Sequence, residues 1–555
     1  MPSTQSPVLA DPEPPTNPEA TDSRQGVRTG LRWIPIHITT YPVLAGLVIA
    51  VGILVRLIQW LAGRDLWFNE ILIARNLDER SYLELLGALD YHQTAPALWL
   101  LLERLAHDLL GSGERALRLV PLLFGIGTLF LVAWLARRLL TMSASLIVLA
   151  FVAVNDRLIY FSNEVKQYSA EAFAVTLVIA VGILLCQRVI NQRLIIIFWV
   201  AASIASVLSI MAIPVTAAVA TLVAIRARPG WRRIRRFAMG VPVWLALVVP
   251  LYLTGLRASQ TDQSLQEMWA FVYPERPLYD IPATIGWLID TGSDLATDPL
   301  GVSYAVLYFI LAVVGAIKCG RRHGLSVVGI LLCPWVIGLV ASALHIYPLW
   351  GRLALYGVPA CLLLIGYAVD FPAPRGPDAP GRHARINQKP RFLVWAFSLG
   401  LALPTLIPQV FNAVGLAIAP PDPYQYREAI AYIAQHRQDG EPLLVIPERT
   451  SHVLHWYGAP AGVTADVQVQ PARTEDGCDP SALAALLRGT EAAWVLRISP
   501  YERTPEEFLI DQLRQFGTET VVSFHDAWVF RFDLTGAPPE TAPSDDSYPW
   551  NCVTW

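Results

Sequence analysis

Long apolar runs, each ended by a short polar break, dominate the first three quarters of the chain. Crossing the hydrocarbon of a bilayer takes about 20 helical residues. Runs near 42–62, 117–136, 143–160, 169–186, 194–211, 212–227, 238–256, 300–317, 325–345, 351–369 and 393–415 predict about eleven transmembrane helices. Residues 1–40 ahead of them form a Pro-rich tail with Arg24, Arg28 and Arg32 and no small-residue cleavage site. The first run therefore reads as an uncleaved span, not a signal peptide.

Cations near the ends of spans resist translocation and collect on the cytoplasmic side. Arg137 and Arg138, then Arg188 and Arg193, mark two connections, and six arginines from Arg226 to Arg236 mark a third. Lys318, Arg321 and Arg322 mark another, as do Arg382, Arg385, Lys389 and Arg391. Every second connection is basic, which predicts a cytoplasmic amino terminus. The same alternation puts 63–116, 161–168, 257–299 and everything beyond about 416 outside a plasma (inner) membrane.

From 416 to 535 the pattern changes. Charged residues return, and helix-like and strand-like runs alternate over Tyr424–Gln438, Pro442–Ile446, Ser481–Leu487, Ala492–Ile498, Pro505–Phe516, Thr518–Phe524 and Ala527–Phe532. These predict a small α/β domain outside the membrane. A Pro- and Asp-rich tail, 536–555, is expected to be loose.

Composition agrees. The 555 residues are 54% hydrophobic and only 16% charged, against roughly 25% charged in soluble domains, which excludes an ordinary soluble enzyme. A net charge of −3 gives no reason to expect a nucleic-acid partner. Six cysteines are too few for a disulfide scaffold. Cys478 and Cys552, the two in the external part, are placed where an oxidising compartment permits a disulfide.

Candidate chemistry lies in the loops expected outside. The first, 63–116, is too polar to cross, and Leu98–Leu110 has the mixed pattern of a helix lying in the interface. Glu70 follows the first span among Leu66, Trp67, Phe68, Ile71 and Leu72. A carboxylate held there, short of water, is suited to general-base work. The alternative is that Glu70 caps a helix or pairs with Arg64 or Arg75. In the second loop Glu164, Lys166 and Tyr168 alternate where the third span ends, and an ammonium at that depth suits a lipid phosphate. Plain interfacial anchoring is the competing reading. Arg352 stands against the basic-inside pattern, so it marks either an anion site or an ion pair with an external carboxylate.

These clusters, in this order, resemble the GT-C superfamily of polyprenyl-phosphate-dependent membrane glycosyltransferases, in particular the protein O-mannosyltransferase branch, which includes the bacterial aminoarabinose-to-lipid-A transferases. The branch has an acidic pair in its first outer loop, written Leu-Trp-x-Asp-Glu. Here that stretch reads Leu66, Trp67, Phe68, Asn69, Glu70, followed by Ala74, Arg75 and Asn76. Tyr91, His92, Gln93, Thr94, Ala95 and Pro96 match its aromatic–small–Pro segment. Gly111, Glu114, Ala116, Arg118 and Pro121 match the motif after the interfacial helix. Ser162, Glu164, Lys166 and Tyr168 match the second loop, and Tyr347, Pro348, Gly351 and Arg352 the late Tyr-Pro…Gly-Arg motif. The likeness covers roughly 40–370.

One position departs from the pattern. The family's first acidic residue falls on Asn69, whose amide takes up no proton at neutral pH. Glu70 supplies the carboxylate, or Asp65 reaches into its place, or activity is lost, ranked in that order. The resemblance implies a donor sugar on a polyprenyl phosphate, transferred with inversion to an acceptor hydroxyl on a glycan, lipid or protein. It implies Glu70 as base, Lys166 and Arg352 as donor-phosphate binders, and Tyr91, His92, Gln93, Glu164, Tyr168 and Tyr347 as pocket residues. No cofactor is expected, and a divalent metal is optional and not predicted. An inactive glycan- or partner-binding scaffold and a lipid or solute transporter are the competing readings; transporters place ionisable groups near mid-membrane, whereas here the carboxylates cluster in loops.

Overall fold

A computed structural model describes residues 40–226, 231–257, 263–275, 278–302, 304–371, 389–420, 422–445, 450–470, 489–498, 517–535 and 552–554, with a few isolated positions between 487 and 514. The tail 1–39, Cys478 and the runs Ser481–Leu487 and Pro505–Phe516, apart from those isolated positions, lie outside the described residues.

The apolar runs are helical. Among the described residues six helices are long and apolar enough to cross a membrane: Tyr41–Ala62, Glu114–Leu139, Tyr168–Gln187, Ile234–Gly255, Leu325–Ala343 and Gly351–Ala368. Gln192–Leu208, Ala212–Arg226 and Leu403–Ile418 are shorter apolar helices. The chain is thus a polytopic helical membrane protein. Packing is close where the side chains are small. A Cβ added at Gly315 would stand 1.8 Å from the Leu364 carbonyl oxygen, so only glycine lets helix Ala305–His323 meet Val358–Ala368 there.

The run 143–160, expected as one crossing, is two helices, Met142–Val154 and Asp156–Asn163, bent by 54°. A break frees backbone carbonyls, and away from water each needs a donor. Arg56, buried in the first helix, supplies them: its guanidinium donates to the carbonyls of Ala153 (3.0 Å) and Val152 (3.2 Å). The Asn155 side chain caps the second piece by accepting from Leu158 N–H at 2.8 Å. Periodicity cannot reveal this bend, because the residue that pays for it lies about a hundred positions away.

The first long loop contains two helices, Phe68–Glu79 and Ala97–Leu110. The second buries Trp99, Leu100, Glu103 and Ala106 and leaves Leu105, Leu109 and Leu110 uncovered, as an interfacial helix does.

Towards the carboxyl end, helix Tyr426–His436 packs on a six-stranded sheet. Its strands are β1 Leu443–Val445, β2 Val467–Gln470, β3 Ala492–Ile498, β4 Thr518–Phe524, β5 Ala527–Asp533 and β6 Cys552–Thr554. Their order is β4-β5-β3-β1-β2-β6, with β2, β1 and β3 parallel and the other pairings antiparallel. The tail 536–555, expected to be loose, contributes β6 as an edge strand.

This unit docks on the first loop. Arg427 donates its backbone N–H (2.9 Å) and guanidinium to Asp65. The Tyr457 hydroxyl accepts from Leu66 N–H at 2.7 Å and donates to Glu114 at 3.1 Å. The second loop joins at the same end, where Trp67 Nε1 donates to Glu164 (2.9 Å). Basic connections gather at the other end: Arg138 bonds Gln187 (2.7 Å), while Arg322 and the Thr141 N–H both reach Asp370. The helical body therefore has one end built from the segments that the charge alternation groups together, and an opposite end rich in cations.

If these ends face opposite compartments, cysteines placed at exposed Ser81 and Arg321 in a chain lacking its native cysteines must label differently. A membrane-impermeant maleimide on intact cells should modify position 81, and position 321 only after permeabilisation. Equal labelling of both would contradict this arrangement.

Candidate functional site

Glu70 stands at the third position of helix Phe68–Glu79, and its Oε2 reaches back to accept the Trp67 N–H at 3.1 Å, which is half of a capping box. Arg118 Nε donates to Oε1 (3.0 Å) and Nη2 to Oε2 (2.7 Å), a two-pronged pair with both side chains buried. The Val165 N–H adds a fourth bond, to Oε1, at 2.7 Å. Arg118 further donates to the carbonyls of Arg64 (2.6 Å) and Asp65 (3.1 Å). Burial pushes the Glu70 carboxyl up, but Arg118, with help from Arg64 and the Val165 N–H, holds it below the ordinary carboxylate range. A buried carboxylate that accepts from four donors is a joint between segments. Glu70 as the general base does not fit this geometry; its capping and pairing alternative does, with Arg118 as partner instead of Arg64 or Arg75. Asp65 does not replace it, because its carboxylate is committed to Arg427.

Beside this joint opens a cavity of about 630 Å³. Asn69, His92, Gln93, Lys166, Tyr168, Tyr347 and Arg352 all line it, so seven of the eleven expected residues meet there. A tight turn, Lys166 N–H to Glu164 carbonyl at 2.7 Å, brings Lys166 round to the cavity, where its Nζ donates to Gln93 Oε1 at 2.6 Å. Arg352 lies over the rings of Trp67 (5.0 Å) and Tyr168 (5.8 Å), and its buried Nε has no hydrogen-bond partner among the described residues. Ile210, Met268, Trp269, Ile346 and Leu353 give the same cavity an apolar wall.

The charges are unequal. Burial lowers the Lys166 pKa to about 7, Arg352 adds to the effect, and Glu164 and Glu70 oppose it. Glu164 is buried, with one oxygen on Trp67 Nε1 and Oε2 unpartnered among the described residues. Burial and the Glu70 charge raise its pKa against Arg352, Arg64 and Lys166. Two cations thus face a partly neutralised carboxyl: the cavity is ready for an anion.

Tyr91 is not part of the lining. It and His92 have positive φ, 61° and 53°, a conformation that bulky residues adopt only when their surroundings hold them. The holder is the carboxyl-terminal unit. His452 packs edge-on against Tyr91 (4.7 Å) and bonds Arg75, and the Tyr91 hydroxyl donates to Glu79 (2.9 Å). Burial and Arg75 keep the His452 pKa down at about 4, so the imidazole is neutral in this contact. The clamp fixes the turn that carries His92 and Gln93 to the cavity.

Sequence reasoning missed the contribution of 257–299. Gln266, Met268, Trp269 and Tyr273 line the cavity, as does His345, which stacks on Tyr273 at 4.8 Å. The aromatic density at 269–273 was the available signal. The groups of three or more His, Cys, Asp or Glu that a metal site needs do not occur among the described residues.

No family model and no curated protein matches the chain. Solved structures do. The structure of ArnT from Cupriavidus metallidurans bound to undecaprenyl phosphate is 18% identical over 91% of this chain and 100% of that one, with a TM-score of 0.51. The same protein in the apo state gives 17% identity over 90% and 99%, with a TM-score of 0.49. The Archaeoglobus fulgidus oligosaccharyltransferase in complex with Zn and sulfate gives 13% over 87% and 72%, at 0.43. The first likeness shows that this chain has the GT-C fold.

Glu70→Gln tests whether Glu70 is joint or base. Breaking a buried ion pair costs about 3–5 kcal/mol, because the partner is left charged without water. The variant should unfold at clearly lower temperature in detergent, and a Glu70→Met/Arg118→Met double variant should recover part of the loss. Wild-type stability in Glu70→Gln would remove the structural assignment.

Proposed function

We propose that this chain is an integral-membrane glycosyltransferase that moves a sugar from a polyprenyl-phosphate-linked donor to an acceptor hydroxyl on the extracytoplasmic side, with inversion. One observation carries the reading: a single cavity joins the buried Lys166 and the half-buried Arg352 to an apolar wall. A lipid phosphate needs that combination, since its headgroup is anionic and its tail is insoluble. The fold shared with a protein solved holding undecaprenyl phosphate supports it.

In this reading the donor phosphate rests on Lys166 and Arg352, with the isoprenoid along Ile210, Met268, Trp269 and Leu353. The bond from anomeric carbon to phosphate oxygen breaks as the acceptor oxygen attacks the opposite face. Negative charge grows on the departing phosphate, where two prearranged cations lower the barrier. Gln93, held by Lys166, and the Tyr168 and Tyr347 hydroxyls orient the sugar. The acceptor's proton goes to the His92 imidazole, a step worth typically about 10²–10⁴-fold. No carboxylate is among the described residues lining the cavity, and Asn69 stands where the resemblance expects one. That observation also favours a second reading, a scaffold that binds the lipid-linked sugar without transferring it.

The affinity of purified protein in nanodiscs for undecaprenyl phosphate tests the binding step. Lys166→Ala and Arg352→Ala should each weaken it about tenfold to a hundredfold, as expected for a charge-assisted bond of about 1.5–3 kcal/mol. Unchanged affinity in both would end the proposal. The pH dependence has a definite sign. Charged Lys166 is the binding form, its pKa in the empty cavity is about 7, and a phosphate raises it. Between about pH 7 and pH 9 binding takes up a proton, so affinity should fall with rising pH, by at most about tenfold per unit. A phosphate monoester's second ionisation, near pH 6, lies below this window. Lys166→Arg should bind without the dependence. Transfer of labelled sugar by wild type but not by His92→Ala supports the enzyme; intact binding with no transfer from any donor supports the scaffold.

A further inference from the structure

A second cavity, of about 340 Å³, lies beside the first and shares Tyr273 with it. That volume falls within the roughly 300–1,000 Å³ of small-molecule sites. One wall is helix Ile281–Thr297, started by Asp280, whose carboxylate accepts from Ala283 N–H at 3.3 Å. The helix is two-faced. Ile281, Ile285, Leu288 and Ile289 are exposed on one side, while Ala283, Gly286, Asp290 and Asp294 line the cavity on the other, at spacings of three and four. Such a helix lies along a membrane interface, apolar face to the lipid, with its cavity turned toward the protein.

The remaining walls are aromatic and held in place. Trp287 Nε1 donates to the Val272 carbonyl at 2.9 Å, which fixes the plane of the indole. Trp350 stands edge-on to Phe271 at 5.5 Å and tilted to Trp269 at 6.0 Å. Tyr273 is buried and stacked on His345. Glu275 joins Asp290 and Asp294 in the lining, and among the described residues none of the three forms an ion pair. Flat aromatic faces take the C–H side of a sugar ring, and carboxylate oxygens accept from its hydroxyls or from an ammonium. Three carboxylates without counter-ions repel an anionic ligand.

We infer that this second cavity binds a saccharide without acidic groups, neutral or amino-bearing, and holds it as the acceptor. The acceptor role rests on the glycosyl-transfer reading; the binding itself does not. The two cavities then sort their ligands by charge. The cationic one takes the lipid phosphate, the acidic one rejects it, and the shared Tyr273 wall lets a hydroxyl of the bound saccharide face the donor. Acceptor choice would therefore reside mainly in residues 271–294, which lie outside the motifs that carry the family resemblance, with Leu349 and Trp350 completing the wall.

Full-length protein in nanodiscs, with no donor added, tests this by saturation-transfer NMR. The probes are maltotetraose (neutral), a chitosan tetramer (cationic), tetragalacturonate (anionic) and a serine-rich peptide. The two non-acidic saccharides should bind, and tetragalacturonate about tenfold more weakly or not at all. Asp290→Asn/Asp294→Asn should narrow that difference. Gly286→Trp fills the cavity from a position where an added Cβ meets nothing within 4 Å. It should abolish saccharide binding while thermal unfolding and undecaprenyl-phosphate affinity stay as in wild type. Equal binding of tetragalacturonate, binding of the peptide in place of the saccharides, or saccharide binding that survives Gly286→Trp overturns the inference. Saccharide binding in a protein that transfers nothing would overturn only the transferase reading.

Discussion

The Glu70 carboxylate joins three stretches of chain that lie far apart in sequence. It accepts from the start of its own helix, from Arg118 48 residues on and from the Val165 backbone 95 residues on. Arg118 and Val165 are buried and Trp67 is half-buried, so a missing carboxylate would leave a buried guanidinium without its counter-charge and two N–H groups without their acceptor. The geometry of the neighbouring cavity follows from this joint. Val165 is the residue before Lys166, and Trp67, which bonds Glu70 through its backbone, is the ring beneath Arg352. One anion thus sets the positions of both cations without being seen by a ligand. A carboxylate used in that way gains from a depressed pKa, whereas a base at the same spot would need the opposite.

The same economy explains the charge state of the cavity. Burial and Arg352 lower the Lys166 pKa to about 7, and burial and the Glu70 charge push Glu164 toward its neutral form. In the proposed reading an arriving phosphate supplies the counter-charge that the protein withholds. Pre-arranged but unsatisfied cations cost stability in the empty state and return it on binding, a common pattern at functional sites.

Much of this was legible in the chain. Apolar runs give helices almost residue for residue where length and hydropathy coincide, as at 169–186 against Tyr168–Gln187. The strand expected over Ala492–Ile498 is found with the same ends, because β-branched and aromatic residues there sit between turn formers. Arg352 stood out because a cation on the wrong side of a basic-inside pattern is conspicuous, and Lys166 because an ammonium where a span ends suits a lipid phosphate. What failed to show were long-range pairings. A capping, ion-paired Glu70 and a catalytic Glu70 have the same neighbours in sequence, and only the position of Arg118 in space separates them. The bend at Asn155 and the clamp of His452 on Tyr91 are hidden for the same reason, since both depend on a partner about a hundred or several hundred positions away. The aromatic wall at 269–273 is hard to single out in the chain, because interfacial aromatics are expected in any membrane protein.

Asn69 is then less of an anomaly than it is in the chain alone. A carboxylate at that point of the lining would offset the charge of Lys166 and Arg352, and would raise the Lys166 pKa by giving it a partner. An amide offers hydrogen bonds without that offset. A lining built this way favours an anion and lacks a carboxylate base among the described residues, so the proposed mechanism gives proton removal to the imidazole of His92, whose positive-φ backbone is held by His452 of the carboxyl-terminal unit. On this view the amide at residue 69 and the clamp of His452 on the Tyr91–His92 turn belong together: the lining carries no carboxylate among the described residues, and the imidazole beside it is held in place by the carboxyl-terminal unit.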